Sequence, residues 1–177
     1  MRPAGRSGDG RLLVASDTNI LINFLAVTRM NLLVTHTEFK FVVTAHTREE
    51  LTVKAQRDQV EQAIAAGSLE EAIVQPGEEM KLYSELAVRI GSGESAAIAV
   101  ACARGWSVAT DEKGRTRREI VARLGETWLL TTPGILLRCV LNGTISVAEA
   151  DAIKDQLAVR RFIMPFRSFS ERIPKKG

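Results

Sequence analysis

Cysteine is scarce: only Cys102 and Cys139 occur in 177 residues. Each sits in an apolar, helix-like stretch, so both read as small buried thiols in a reducing compartment, and nothing calls for a disulfide. Histidine is equally rare. His36 and His46 show no ligand-like spacing to each other or to cysteine, which argues against a structural zinc site. No apolar run reaches the eighteen residues or so of a membrane span. Gly-x-x-x-x-Gly-Lys, the phosphate cradle of nucleotide-binding loops, is missing. So is the Asp-x-Asp of aspartyl-phosphate hydrolases, because position 19 is asparagine. Aromatic residues make up 5% of the chain, which argues against a base-stacking RNA-binding module.

What remains is the composition of one globular domain, 45% hydrophobic and 25% charged. A cytoplasmic location with no membrane association follows. Residues 1–11 are rich in arginine and glycine without an apolar stretch, and read as a flexible extension rather than a secretory signal. The expected domain covers 12–165, and 166–177 form a basic tail. Net charge is only +3 but uneven. Lys113, Arg115, Arg117 and Arg118 form one basic cluster. Arg160, Arg161, Arg167, Arg172, Lys175 and Lys176 crowd the C-terminal end. Such clusters can neutralise phosphates, although each also suits a solvated surface.

Apolar patterning predicts strands over Leu12–Ala15, Phe39–Val43, Trp106–Thr110 and Thr127–Leu130, with a short edge strand at Ile73-Val74. Between them it predicts helices over Asn19–Val27, Thr44–Ala66, Glu78–Ile90, Glu94–Arg104, Gly114–Leu124 and Pro133–Leu141, with a second short helix near Asn31. A last helix over Val147–Arg160 starts at Ser146 with Glu149 three residues on, a capping-box pattern. Strands alternating with helices predict an α/β fold, a three-layer α/β/α sandwich around a mostly parallel central sheet.

That topology gathers acids. Ligand sites of parallel sheets lie beyond the carboxyl ends of the strands. Asp17 follows the first strand and Asp111 the Trp106–Thr110 strand, placing both at that edge. Glu94 opens the helix that feeds the latter strand. Helix descent and strand return are each roughly 15 Å, so Glu94 returns to the same edge. Glu49 and Glu50 fall in the second turn of the helix leaving the second strand. Glu50 is preferred, because it is in line with Val53, Val60 and Ile64, the row expected to face inward. Grouped carboxylates repel unless a cation neutralises them, and hard oxygen ligands suit magnesium or manganese. For Glu94 alone, an ordinary acid favoured by the helix dipole is the better explanation, and it is the joint placement of four acids that points to a site.

The same positions carry a family resemblance. Asp17-Thr18-Asn19-Ile20-Leu21-Ile22-Asn23-Phe24-Leu25 resembles the opening of PIN-domain nucleases, and Glu50-Leu51 is similar to their second acidic element. Gly91-Ser92-Gly93-Glu94-Ser95-Ala96-Ala97-Ile98-Ala99 closely resembles the third, and Val108-Ala109-Thr110-Asp111-Glu112 the fourth. Order and spacing agree over about Leu12 to Leu141. The resemblance implies a ribonuclease dependent on Mg2+ or Mn2+, with Asp17, Glu50, Glu94 and Asp111 catalytic and Asp17, Glu94 and Asp111 on the metal. Where the family often shows two aspartates, this chain has Asp111-Glu112. Lys113 and Arg115 would hold the RNA backbone, and Asn19 and Thr110 would bond the carboxylates or bound water. The resemblance also implies a homodimer, and for many bacterial relatives of VapC type a small antitoxin partner. The competing expectation is a PIN-fold adaptor with weak or absent catalysis, binding RNA or protein.

Overall fold

The computed structural model describes residues 5–174. Five strands form one sheet: β1 (Leu12–Ser16), β2 (Phe39–Thr44), β3 (Glu70–Ala72), β4 (Ser107–Ala109) and β5 (Leu129–Leu130). Their order is β3-β2-β1-β4-β5 and every pairing is parallel. Lys175 and Lys176, counted in the basic C-terminal cluster above, lie outside the described residues.

The sheet is buried on both sides, and side chains alternate along each strand between two helical layers. Val14, Phe41, Val43 and Ala109 point into one apolar cluster. It is closed by α1 (Thr18–Ala26), α2 (Asn31–Val34), α4 (Lys54–Ala65), α8 (Thr132–Leu141) and α9 (Val147–Val159). Ile20, Leu21, Phe24 and Leu25 seat α1 there; each such buried side chain contributes roughly 1.5–3 kcal/mol. Ala15 and Val108 point the other way, toward α5 (Glu78–Ala87), α6 (Ser92–Arg104) and α7 (Gly114–Leu124). The result is the three-layer sandwich that the alternation of strands and helices predicts.

Helix α6 is apolar nearly all round, and residues 95–101 are without exposure. A helix of that kind is an interior element, so its first turn is held rigidly at the edge of the sheet. Gly105 ends it in the left-handed conformation (φ 70°), which turns the chain into β4. The capping box of α9 forms as predicted, Ser146 and Glu149 bonding reciprocally. His36 is buried before β2; its Nδ1 accepts from the backbone N–H groups of Glu38 (3.1 Å) and Phe39 (3.3 Å).

Several local expectations are corrected. The single helix expected over Thr44–Ala66 is two, α3 (Ala45–Glu49) and α4, broken at 50–53. Val53, expected to face inward, is 53% exposed. The break arises because the Glu50 side chain is committed to other elements and Leu51 is fully buried. The edge strand lies at Glu70–Ala72 rather than Ile73-Val74, and Glu126–Trp128 form a 3-10 turn before a two-residue β5. Residues 5–11 fold back on β1, with Gly5 N–H bonded to Gly105 and its carbonyl accepting from Leu13. Phe169, in the stretch expected to be tail, is fully buried in the core beside α9, because Asp151 accepts from the Ser168 hydroxyl and the Phe169 N–H.

Candidate active site

Chain direction places the site. From β1 the chain moves outward through β2 and β3, then returns across the sheet to β4 on the other side of β1. The strand order thus reverses between β1 and β4, and the crevice above such a point is where parallel sheets bind ligands. Asp17 stands directly above β1, its N–H continuing the ladder to the Ala109 carbonyl at 2.9 Å.

Asp17 caps α1. Its Oδ1 accepts from the Thr18 N–H at 2.6 Å, and its Oδ2 accepts from the Thr110 hydroxyl at 2.9 Å. The residue is 2% exposed. Burial pushes its carboxyl up to about 7, with the neighbouring charges of Glu94 and Glu50 adding and the two hydrogen bonds opposing.

Glu50, at the end of α3, spans two other elements. Oε1 accepts from the Gly93 N–H (2.8 Å) and the Ser92 hydroxyl (2.9 Å), while Oε2 accepts from the Thr18 hydroxyl (2.5 Å). A β-carbon on residue 93 would run into this carboxylate, and one on residue 91 into that of Glu94. The two glycines of the Gly-x-Gly-Glu turn therefore each make room for a different acid. Glu49 is exposed.

Glu94, in the first turn of α6, is raised by burial and then by the charge of Glu112, with the Gly91 N–H opposing and the Glu50 charge adding. Its Oε2 is buried without a hydrogen-bond partner. Asp111 is differently employed. Oδ1 accepts from the Thr132 N–H (2.8 Å), and Oδ2 accepts from the Thr132 hydroxyl and from Asn23 Nδ2 (3.0 Å). Burial raises Asp111 as well, with the Glu112 charge adding. Glu112 accepts from Asn19 Nδ2 at 2.7 Å, and its N–H donates to the Thr110 hydroxyl at 3.0 Å. Asn19 and Asn23, four apart on one face of α1, thus each hold one of two consecutive acids.

The structure brings Asp17, Glu50 and Glu94 into one electrostatic neighbourhood, and Glu112 joins it through Glu94. Asp111 spends both oxygens on α1 and α8. Lys113 is exposed just before α7, and Arg115 donates to the Arg89 carbonyl at 3.2 Å, in the turn that precedes Gly91. Thr18, Asn23, Ser92 and Thr132 were not singled out from the sequence. Only the four-residue spacing of Asn19 and Asn23 carried a signal for any of them.

These residues suit a hard divalent cation. The buried Glu94 Oε2 makes no hydrogen bond, and acids of like charge are held close enough to raise one another. Among the described residues, no three Asp, Glu, His or Cys side chains form a complete ligand set. Magnesium does not need one, since it keeps several waters and binds through one or two carboxylates plus substrate phosphate.

The family profile described as a PIN domain matches residues 13–174. A search of curated proteins finds no match. Among solved structures the chain is similar to VapBC2 from Rickettsia felis, crystallised with a DNA fragment from the promoter. Identity is 16% over 68% of this chain and 97% of that one, with a TM-score of 0.44. Among the described residues no helix is long and apolar enough to cross a membrane.

Proposed function

The chain belongs to the PIN-domain family, and on that premise we propose that it is a metal-dependent endoribonuclease hydrolysing RNA phosphodiester bonds. The observation that carries this reading is the unpartnered, buried Glu94 oxygen beside an Asp17 whose carboxyl stands near 7. Carboxylates kept this way lower stability unless a cation offsets their repulsion, so such a cluster points to use rather than to architecture.

Asp17 and Glu94 would hold a magnesium or manganese ion, with Glu112 on the open side. When bound, the ion activates water and steadies charge on the phosphate and leaving oxygens. The protein's own part is positioning. Thr110 fixes Asp17 and, through the Glu112 N–H, the start of the loop beyond β4. Glu50 pins the first turn of α6, which carries Glu94, to α1. Asn19 aims Glu112, while Asp111, held by Asn23 and Thr132, fixes the backbone from which Glu112 projects. Lys113 and Arg115 supply cations for the RNA backbone, a role without sequence readout.

A role as the toxin of a toxin–antitoxin pair, with a small protein inhibitor and a homodimeric state, rests on the family resemblance. One observation favours the adaptor alternative: the acids do not by themselves form a complete ligand set. Cleavage of defined RNAs in Mg2+ or Mn2+, wild type beside Asp17→Asn, separates the readings, since an adaptor binds RNA equally in both forms and cuts it in neither.

A further inference from the structure

The C-terminal segment ends in a 3-10 turn, Phe169–Arg172, that the nuclease reading leaves without a task. Its placement is firm. Phe169 is fully buried, and Asp151 on α9 takes both the Ser168 hydroxyl (2.7 Å) and the Phe169 N–H (2.8 Å). Phe166 packs edge-on against Phe169 at 5.0 Å, and the Arg172 guanidinium lies over the Phe166 ring at 5.5 Å. Stacking of that kind holds a guanidinium flat while leaving its N–H groups to other partners.

Among the described residues Arg172 enters no ion pair, and the neighbouring Glu171 carboxylate accepts instead from the Arg167 backbone N–H. Together with Phe166 and Phe169 it faces Thr131, Pro133 and Gly134 across a cleft of about 110 Å3. The first-turn donors of α8 are spent internally. Thr132 N–H goes to Asp111, Gly134 N–H goes to the Thr131 hydroxyl, and Pro133 has none. The exposed cation of the cleft is thus the guanidinium. The cleft abuts Thr132, whose amide and hydroxyl both hold Asp111.

We propose that Arg172 is a substrate-positioning residue: it binds a backbone phosphate of the single-stranded RNA as the strand leaves the carboxylate edge past Asp111. This rests on the nuclease reading and adds a contact on the side of the site opposite Arg115, which reaches toward the turn before α6. A strand held on both sides lies across the edge in a fixed register, and a planar fork stacked on an aromatic ring suits a phosphate without reading its base.

The test is binding of a labelled single-stranded RNA to the full chain in EDTA, as a function of salt. One lost phosphate contact lowers the slope of log affinity against log salt by about 0.7 for single strands. Arg172→Gln should lose about that much slope and bind roughly three- to tenfold more weakly at low salt, while Arg172→Lys keeps the slope. The thermal midpoint should not move, because Phe169 and Asp151 anchor the segment. If glutamine unsettles the fold, Arg172→Met keeps the stem over Phe166 and takes its place. Unchanged slope and affinity in a folded Gln or Met variant overturn the inference. If that occurs while the wild type cleaves RNA, the nuclease reading survives; if the wild type neither binds nor cleaves RNA, both fall.

Discussion

Gly93 and Glu50 are fitted to each other across two helices: the glycine gives its N–H to the carboxylate at 2.8 Å and leaves the space that carboxylate fills. Residue 93 is therefore glycine for a steric reason, although its backbone is helical and ordinary. Replacing it with alanine displaces the flexible end of Glu50 and leaves a buried N–H without an acceptor. The lost hydrogen bond costs roughly 1–3 kcal/mol. Gly93→Ala should lower the thermal midpoint by several degrees in EDTA, by calorimetry. A midpoint equal to wild type would show that the pair does not constrain the fold.

Consecutive acids should behave oppositely. Asp111 accepts three hydrogen bonds, so Asp111→Asn sets an amide donor against the Asn23 or Thr132 donors and lowers metal-free stability by about 1–3 kcal/mol. Glu112→Gln removes a charge that raises both Glu94 and Asp111. It should leave metal-free stability equal or higher while weakening Mn2+ binding about tenfold in titration calorimetry. The reverse pattern would place Asp111, not Glu112, toward the ion.

Divalent metal should raise the thermal midpoint, because a ligand bound only by the folded state stabilises it, by about 2.7 kcal/mol at a hundred times its dissociation constant. Scanning fluorimetry in millimolar Mn2+ against EDTA measures this. No shift at any concentration would remove the cation from Asp17 and Glu94.

His36 should make an acid-destabilising contribution, set against Asp17, whose carboxyl, raised to about 7, takes up a proton in the folded chain first and works the other way. Burial, aided by the charges of Arg11 and Arg138, lowers the His36 pKa from 6.5 to about 4. Below 6.5 the unfolded chain takes up a proton that the folded chain refuses. Stability present above 6.5 is therefore lost progressively as pH falls toward 4, by up to about 3 kcal/mol. His36→Asn keeps an acceptor for the Glu38 and Phe39 N–H groups without titrating, so it should gain stability relative to the wild type as pH falls through this range. An identical pH profile would assign the acid sensitivity elsewhere.

The layering of the fold and the positions of Asp17 and Glu94 were legible in the sequence, because both depend on strand direction and helix length. The break after Glu49 was not. Residues 50–53 contain neither proline nor glycine, and what stops the helix is a tertiary commitment of Glu50 to Gly93 and Thr18. The different hydrogen-bond partners of Asp111 and Glu112 were hidden for a similar reason. They depend on Thr132, twenty-one residues on, and on which of two asparagines each acid meets. Phe169 followed no periodic pattern, and its burial comes from α9 holding the segment by a carboxylate.

Cleavage of single-stranded RNA by the wild type and Asp17→Asn, in Mn2+ and in EDTA, tests the nuclease reading most directly. The wild type should cut only with metal, and the variant, folded by circular dichroism, should lose at least a hundredfold in rate. Equal cutting by the variant, or none by a folded wild type in any divalent ion, contradicts it.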